Sequence, residues 1–94
     1  MFSFEFESEI VEWRGPSPFL FVAMPPEHAA ELKEASKRLT FGWGCLSAVV
    51  RVGKSSSKTM LYPRNGTYFV PIKVAIQRAE KVELGDVIRV NVDL

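Results

Sequence analysis

The sequence predicts a mainly β fold: a small closed β-barrel of about six strands with one longer and one short helix. Three observations lead there. Apolar residues recur at a spacing of two at both ends of the chain, at Phe2, Phe4 and Phe6 and again at Ile88, Val90, Val92 and Leu94. That spacing puts one face of a strand into a core. With 94 residues, 47% of them apolar, the chain is long enough for one core and too short for two, so residues 1–94 form a single domain. Its two halves also follow one order of hairpin, proline, helix and strand.

Ser3, Glu5 and Glu7 separate the first phenylalanines, as expected of a half-buried strand,. At Ile10-Val11 two apolar residues become adjacent, which predicts a bulge or sharp bend,. Arg14-Gly15-Pro16-Ser17-Pro18 is a turn by composition,. Phe19 to Met24 is apolar throughout, the pattern of a strand covered on both faces,. Pro25-Pro26 ends it and can open a helix,. Residues 27–39 then read as a surface helix, with Glu27 and Glu31 near its start, Lys37 and Arg38 near its end, and a thin stripe of Ala30, Leu32 and Ala35,.

Phe41-Gly42-Trp43-Gly44 reads as a loop, and Cys45 to Val52 as a strand. Gly53 and the polar run Lys54 to Ser57 follow as a turn, and Lys58 to Tyr62 as a strand. Asn65-Gly66 is a hairpin signal, because both residues tolerate positive φ,. Thr67 to Ile72 returns as a strand interrupted by Pro71, residues 74–79 form a short helix, and Leu84-Gly85-Asp86 is a turn. Asp86 to Leu94 is the last strand.

The repeat sets residues 2–24, 27–39 and 45–52 against 58–70, 74–80 and 86–94. Phe21-Val22-Ala23-Met24-Pro25 answers Tyr68-Phe69-Val70-Pro71, and Val50-Arg51-Val52 answers Ile88-Arg89-Val90. Two ββαβ units predict a pseudo-twofold arrangement in which each half covers the other's strand edges.

A formal net charge of +1 hides an uneven distribution. Residues 1–34 hold seven Glu against Arg14 and Lys33, a net of −5. Residues 35–79 hold eight basic residues and no acid, a net of +8, and residues 80–94 return to −2. Such a centre either attracts phosphates or lies beside the acidic strands and pairs with them.

Few motifs carry chemistry. Ala48 to Ser55 satisfies a permissive phosphate-loop pattern, but strand-like residues flank Gly53-Lys54, so the reading is a hairpin turn with a basic rim,. A lone Cys45 excludes a disulfide framework and a cysteine zinc site, and it suits a reducing cytoplasm,. His28, in the first turn of a helix, is expected to face solvent. Glu5, Glu7 and Glu9 read as an exposed acidic face. Trp13, Trp43, Tyr62 and Tyr68 are expected to plug the ends of the barrel, the alternative being to stack on bases,. The acidic start of the chain is unlike a secretory signal, and the apolar run from Pro18 to Pro26 is too short to span a bilayer,.

At Trp13-Arg14-Gly15, Gly42-Trp43-Gly44, Thr59 to Pro63, Asn65 to Lys73, and Arg78-Ala79-Glu80 followed by Gly85-Asp86, the chain resembles the family called domain of unknown function 1905 (DUF1905). It departs from that family's pattern at Met60, where the family has serine, and at Tyr62, where it has phenylalanine. The resemblance implies a double-split β-barrel, related in fold to swapped-hairpin regulators and antitoxins that bind DNA as dimers, here with both halves in one chain. It implies no activity.

Together these features predict a non-enzymatic binding or interaction module in the cytoplasm. Its partner is of the protein or nucleic-acid class, it has no membrane association, and it is a monomer or weak homodimer. The alternative is a regulator-like nucleic-acid binder with a basic surface from residues 51–78. Candidate ligand or nucleic-acid contacts are Arg51, Lys54, Lys58, Thr59, Tyr62, Arg64, Lys73 and Arg78. A small-molecule enzyme ranks third, since it needs a concave pocket where groups such as Thr59, Tyr62, Lys73 and Arg78 converge. No catalytic residue, cofactor or metal ligand is expected.

Overall fold

A computed structural model describes residues 3–16, 18–36, 46–64 and 66–94. Strand β1 (Ser3–Glu9) follows the alternation of its sequence: Phe4 and Phe6 are buried, while Ser3, Glu5, Glu7 and Glu9 are exposed. It pairs antiparallel with the last strand, β7 (Val87–Asp93), setting Phe4 opposite Val92 and Phe6 opposite Val90. All four side chains enter the core, and burial of each contributes about 1.5–3 kcal/mol. On the outer face Arg89 Nη2 donates to Glu5 Oε1 at 3.1 Å, and Ser3 Oγ donates to Asp93 Oδ1 at 2.6 Å.

The expected change of phase falls at Ile10. It separates β1 from β2 (Val11–Trp13), and β2 pairs with β3 (Phe19–Ala23). Ile10 is fully buried. Its N–H donates to Asp86 O at 2.8 Å, and its carbonyl accepts from Gly85 N at 2.9 Å. Gly85 has φ +92°, which the turn before β7 requires,.

Helix α1 (Pro26–Ser36) starts on a proline and buries Ala29 and Leu32. Its remaining described faces are largely exposed, as expected of a surface helix, but the buried alanine is Ala29 and the expected Ala30 is exposed. His28 does not face solvent freely. Its ring packs on Phe4 and Phe6, with centroids 5.3 and 6.1 Å away, because α1 lies over the β1 aromatics. The expected extension to residue 39, the loop at 41–44, Cys45 and Asn65 lie outside the described residues.

Strand β4 (Leu46–Val52) alternates strictly and buries Leu46, Ala48, Val50 and Val52. Its partner β5 (Ser55–Arg64) is longer than the expected Lys58–Tyr62. Ser55, Ser56 and Ser57 read as loop by composition, yet they pair with Val52, Arg51 and Val50. The turn shrinks to Gly53-Lys54, with Gly53 at φ +58°, so no phosphate loop forms. Glu80 fastens this turn: Ser55 Oγ donates to its Oε2 at 2.5 Å and the Lys54 N–H to its Oε1 at 3.4 Å. Glu80 is the last residue of α2 (Val74–Glu80), which buries Ile76.

Strand β6 (Thr67–Pro71) pairs with β3 and with Tyr62, Pro63 and Arg64 of β5. The described residues thus form seven strands in one curled antiparallel sheet, in the order β1-β7-β4-β5-β6-β3-β2. The count exceeds the expected six because the first strand breaks at Ile10. Its two pieces end at opposite edges of the sheet, so the sheet curls to bring both edges to this residue. Ser8 Oγ of β1 spans the gap to Ala23 O of β3 at 3.2 Å. Val22, Val50, Val70, Val90 and Val92 fill the interior with Leu46, Leu61 and Met24.

This topology separates the acidic strand from the basic centre. Glu5 pairs with Arg89, Glu12 with Arg14 at 3.3 Å, and Arg51 with Asp93 at 3.8 Å. Strand β1 has β7 as its sheet neighbour, and neither β4 nor β5 lies beside it. Among the described residues no ion pair joins Glu5, Glu7, Glu9 or Glu12 to a central basic residue, so the cross-strand pairing that is one of the two expectations for the charge pattern is not found there.

Ile10→Ala is expected to lower unfolding free energy by about 2–5 kcal/mol in urea titration, against less than about 0.5 kcal/mol for the exposed control Val87→Ala. Gly85→Ala should cost about 1–2 kcal/mol from its positive φ alone. Gly53→Ala should cost more, because a Cβ there displaces the Glu80 carboxylate from its hydrogen bonds to Ser55 and Lys54. The excess should disappear in a Glu80→Ala background, which a double-mutant cycle reads as coupling. Arg89's hydrogen bond and then its charge hold the Glu5 carboxyl below its ordinary value. The stability Glu5 contributes is therefore present above the unfolded-state value of about 4.3 and lost as pH falls through the lower native value. Thermal melts should show Glu5→Gln below the parent protein at pH 7 and level with it once both states are protonated.

A cation-edged aromatic groove as the candidate functional site

Four strands turn aromatic side chains to the outside of the sheet. Trp13 lies opposite Phe19, Phe21 opposite Pro71, and Phe69 opposite both Ala23 and Tyr62. The intervening residues Val22, Tyr68 and Val70 point into the core. This explains the continuous apolar run at 19–24: the strand is covered on one face by the core and on the other by an external aromatic cluster. Phe21 and Phe69 stack at 3.9 Å with their planes 19° apart. Phe19 tilts against Phe21 at 5.8 Å, and Trp13 meets Phe69 edge-on at 6.4 Å. Such pairs contribute about 0.5–1.5 kcal/mol each beyond their burial. Phe21 is only 6% exposed, yet it belongs to this outer cluster and not to the core. Above the indole of Trp13 sits the guanidinium of Arg64, 4.5 Å from the ring centroid.

The cluster forms one wall of an open groove of about 1100 Å³. Its position follows from the strand pairing. Strand β5 pairs with β4 from Ser55 to Leu61 and with β6 only from Tyr62 to Arg64. Helix α2 packs against β5. Trp13, Phe19, Leu20, Phe69 and Ile72 line the groove on one side, Thr59, Tyr62 and Arg64 come from β5, and Lys73, Val74 and Gln77 come from the α2 end. No Asp or Glu is in the lining, while Arg64 and Lys73 bring two positive charges to it. Lys73 precedes α2 and makes no side-chain capping hydrogen bond. Gln77 Nε2 donates to Ile72 O at 2.7 Å, which fixes that amide at the wall.

Of the residues singled out from sequence, Thr59, Tyr62, Arg64 and Lys73 come together in this groove. Arg51, Lys54, Lys58 and Arg78 lie outside its lining. Arg51 faces Asp93 on β7, Lys54 sits in the turn held by Glu80, Lys58 is exposed opposite Val49, and Arg78 is exposed on α2. Among the described residues, Lys54, Lys58, Arg64, Lys73 and Arg78 meet no carboxylate within ion-pair distance. Tyr68 enters the core as expected. Trp13 and Tyr62 do not plug a barrel end, because their register turns them outward. Sequence reasoning missed Trp13, Phe19, Phe69 and Gln77 as groove residues. The available signal was the set of aromatics Phe19, Phe21 and Phe69 alternating with the inward residues Leu20, Val22, Tyr68 and Val70.

Chemically the groove offers flat apolar surfaces, the hydroxyls of Thr59 and Tyr62, and two cations. Among the described residues no group of three or more His, Cys, Asp or Glu could hold a metal ion, and no helix is long and apolar enough to cross a membrane.

The family described as a domain of unknown function (DUF1905) matches residues 6–92. No curated protein and no solved structure matches the chain. The family match runs from within β1 to within β7 and includes both helices and the whole groove, and on it the chain belongs to the DUF1905 family.

Proposed function

We propose that this chain is a non-enzymatic binding module of the cytoplasm and that the outer groove is its working surface. One observation carries the reading: an aromatic wall stands beside two cations in an opening of about 1100 Å³ whose lining holds no acid. That volume lies just above the roughly 300–1,000 Å³ of small-molecule sites,. Large apolar surface left open on a small domain marks a place where something binds. Catalysis is the weaker reading, although a pocket holding Thr59, Tyr62 and Lys73 exists. Among the described residues its lining has no carboxylate or imidazole to exchange a proton with those groups,. The lone Cys45 supports a reducing compartment,, and the proposed assembly is a monomer or weak homodimer.

The same reading includes a closed double-split barrel built from two ββαβ halves. Its support is the symmetry of the strand pairing. Exchange the β1–β2 strand with β5, β3 with β6, α1 with α2, and β4 with β7. The β1–β7 pair then becomes β5–β4, and the β2–β3 pair becomes β5–β6. The β3–β6 and β4–β7 pairs return to themselves.

Nucleic-acid binding is the second reading. It is favoured by the cations Lys54, Lys58, Arg64, Lys73 and Arg78, which meet no described carboxylate, and by aromatic rings near them, a combination that holds single strands.

Amide chemical shifts of the labelled protein, followed while small aromatic acids, amides and amines are added, test the main reading. Shifts at Thr59, Tyr62, Phe69 and Lys73, with none at Glu5 or Arg89 on the far edge, are expected. A groove that stays silent to every compound overturns it. Labelled single- and double-stranded DNA and RNA, titrated at about 50 and 200 mM salt, test the second. Affinity that falls steeply between the two supports it, and no binding at the lower concentration ends it.

A further inference from the structure

We propose that the ligand of the groove is a planar aromatic anion: a fused or linked ring system carrying one carboxylate or phosphate. The inference rests on the groove being the working surface and names what it takes. Trp13, Phe69 and Tyr62 come from three different strands and line a single opening with aromatic surface. Flat faces reward a flat partner, because offset stacking and edge contacts both need the partner's ring within about 4.5–7 Å. Its volume of about 1100 Å³ leaves room for a system of two or three rings.

The charge requirement comes from the same lining. Arg64 and Lys73 meet no described carboxylate, and no acid lines the groove. A cationic ligand would add to this unbalanced charge, and a neutral one would leave it in place. Arg64 couples the two requirements. Its guanidinium rests on the Trp13 ring, with the Cζ 4.5 Å from the centroid. Stacking engages the face of the guanidinium and leaves its in-plane N–H donors free to grip an oxyanion. A ring lodged beside Trp13 and Phe69 thus carries its acid group to Arg64, with Lys73 as the second charge. Thr59 and Tyr62 hydroxyls can select among ring substituents. Of the other central cations among the described residues, Arg51, Lys54, Lys58 and Arg78 lie outside the lining. One anionic group, and not a nucleic-acid backbone, is what the groove neutralises.

Calorimetry on the whole chain with matched probes tests this: 2-naphthoate, its neutral amide, decanoate, adenosine monophosphate and a thymidine octamer. Naphthoate should bind at least about tenfold more tightly than the amide, because only the carboxylate forms charge-assisted hydrogen bonds with Arg64 and Lys73. Arg64→Gln with Lys73→Gln should erase that difference, so that naphthoate and its amide then bind alike. Arg64→Lys should restore only part of it. Naphthoate and amide binding alike, or decanoate matching naphthoate, overturns the inference while the binding-module reading stands. Binding of the octamer without the mononucleotide assigns the groove to a strand and overturns it too. No heat with any probe, together with no amide shift in the groove, overturns both readings.

Discussion

Between β1 and β2 the backbone of Ile10 donates to Asp86 and accepts from Gly85, and its side chain is fully buried. This one residue constrains the rest of the sheet. Upstream of it the chain pairs with β7, and downstream it pairs with β3. The strand order β7-β4-β5-β6-β3 must therefore curl back on itself to meet both pieces. The valine-rich interior follows from that curvature, because a curled antiparallel sheet encloses one face and offers the other to solvent.

The outer face then acquires its own character. Most of it is polar, as at Glu5, Glu7, Ser47 and Arg51. Where β2, β3, β6 and the end of β5 adjoin, it is aromatic. That patch lies next to the point where β5 leaves β6 and α2 begins. Flat rings and a break in strand pairing coincide there, which turns a sheet face into a groove. The curl also holds the acidic β1 against β7, where Arg89 answers Glu5. The cations of the centre are thereby left without those glutamates as partners.

Much of the framework is legible in the residues. Period-two alternation marks β1, β4 and β7, the apolar adjacency at Ile10-Val11 marks the bend, and Leu84-Gly85-Asp86 marks the turn that fastens it. The serines at 55–57 mislead, because composition reports flexibility whereas their strand state comes from pairing with Val50, Arg51 and Val52. His28 misleads likewise: its position in a first helical turn says nothing of Phe4 and Phe6 across the fold. Thr59, Tyr62, Arg64 and Lys73 could be named as candidates from charge and residue type. Trp13 and Phe69 could not, since nothing local tells an outward aromatic from a core one.

The sequence by itself determined the mainly β class, most element boundaries and a basic centre free of acids, because these depend on neighbours one to four residues away. Tertiary structure alone decided which strand lies beside the acidic one. It also decided that β5 changes partners at Tyr62, and that residues as distant as Trp13 and Lys73 share one groove. Those outcomes depend on long-range register, and register is set by the fit of whole strands around a shared core and not by any short stretch of residues.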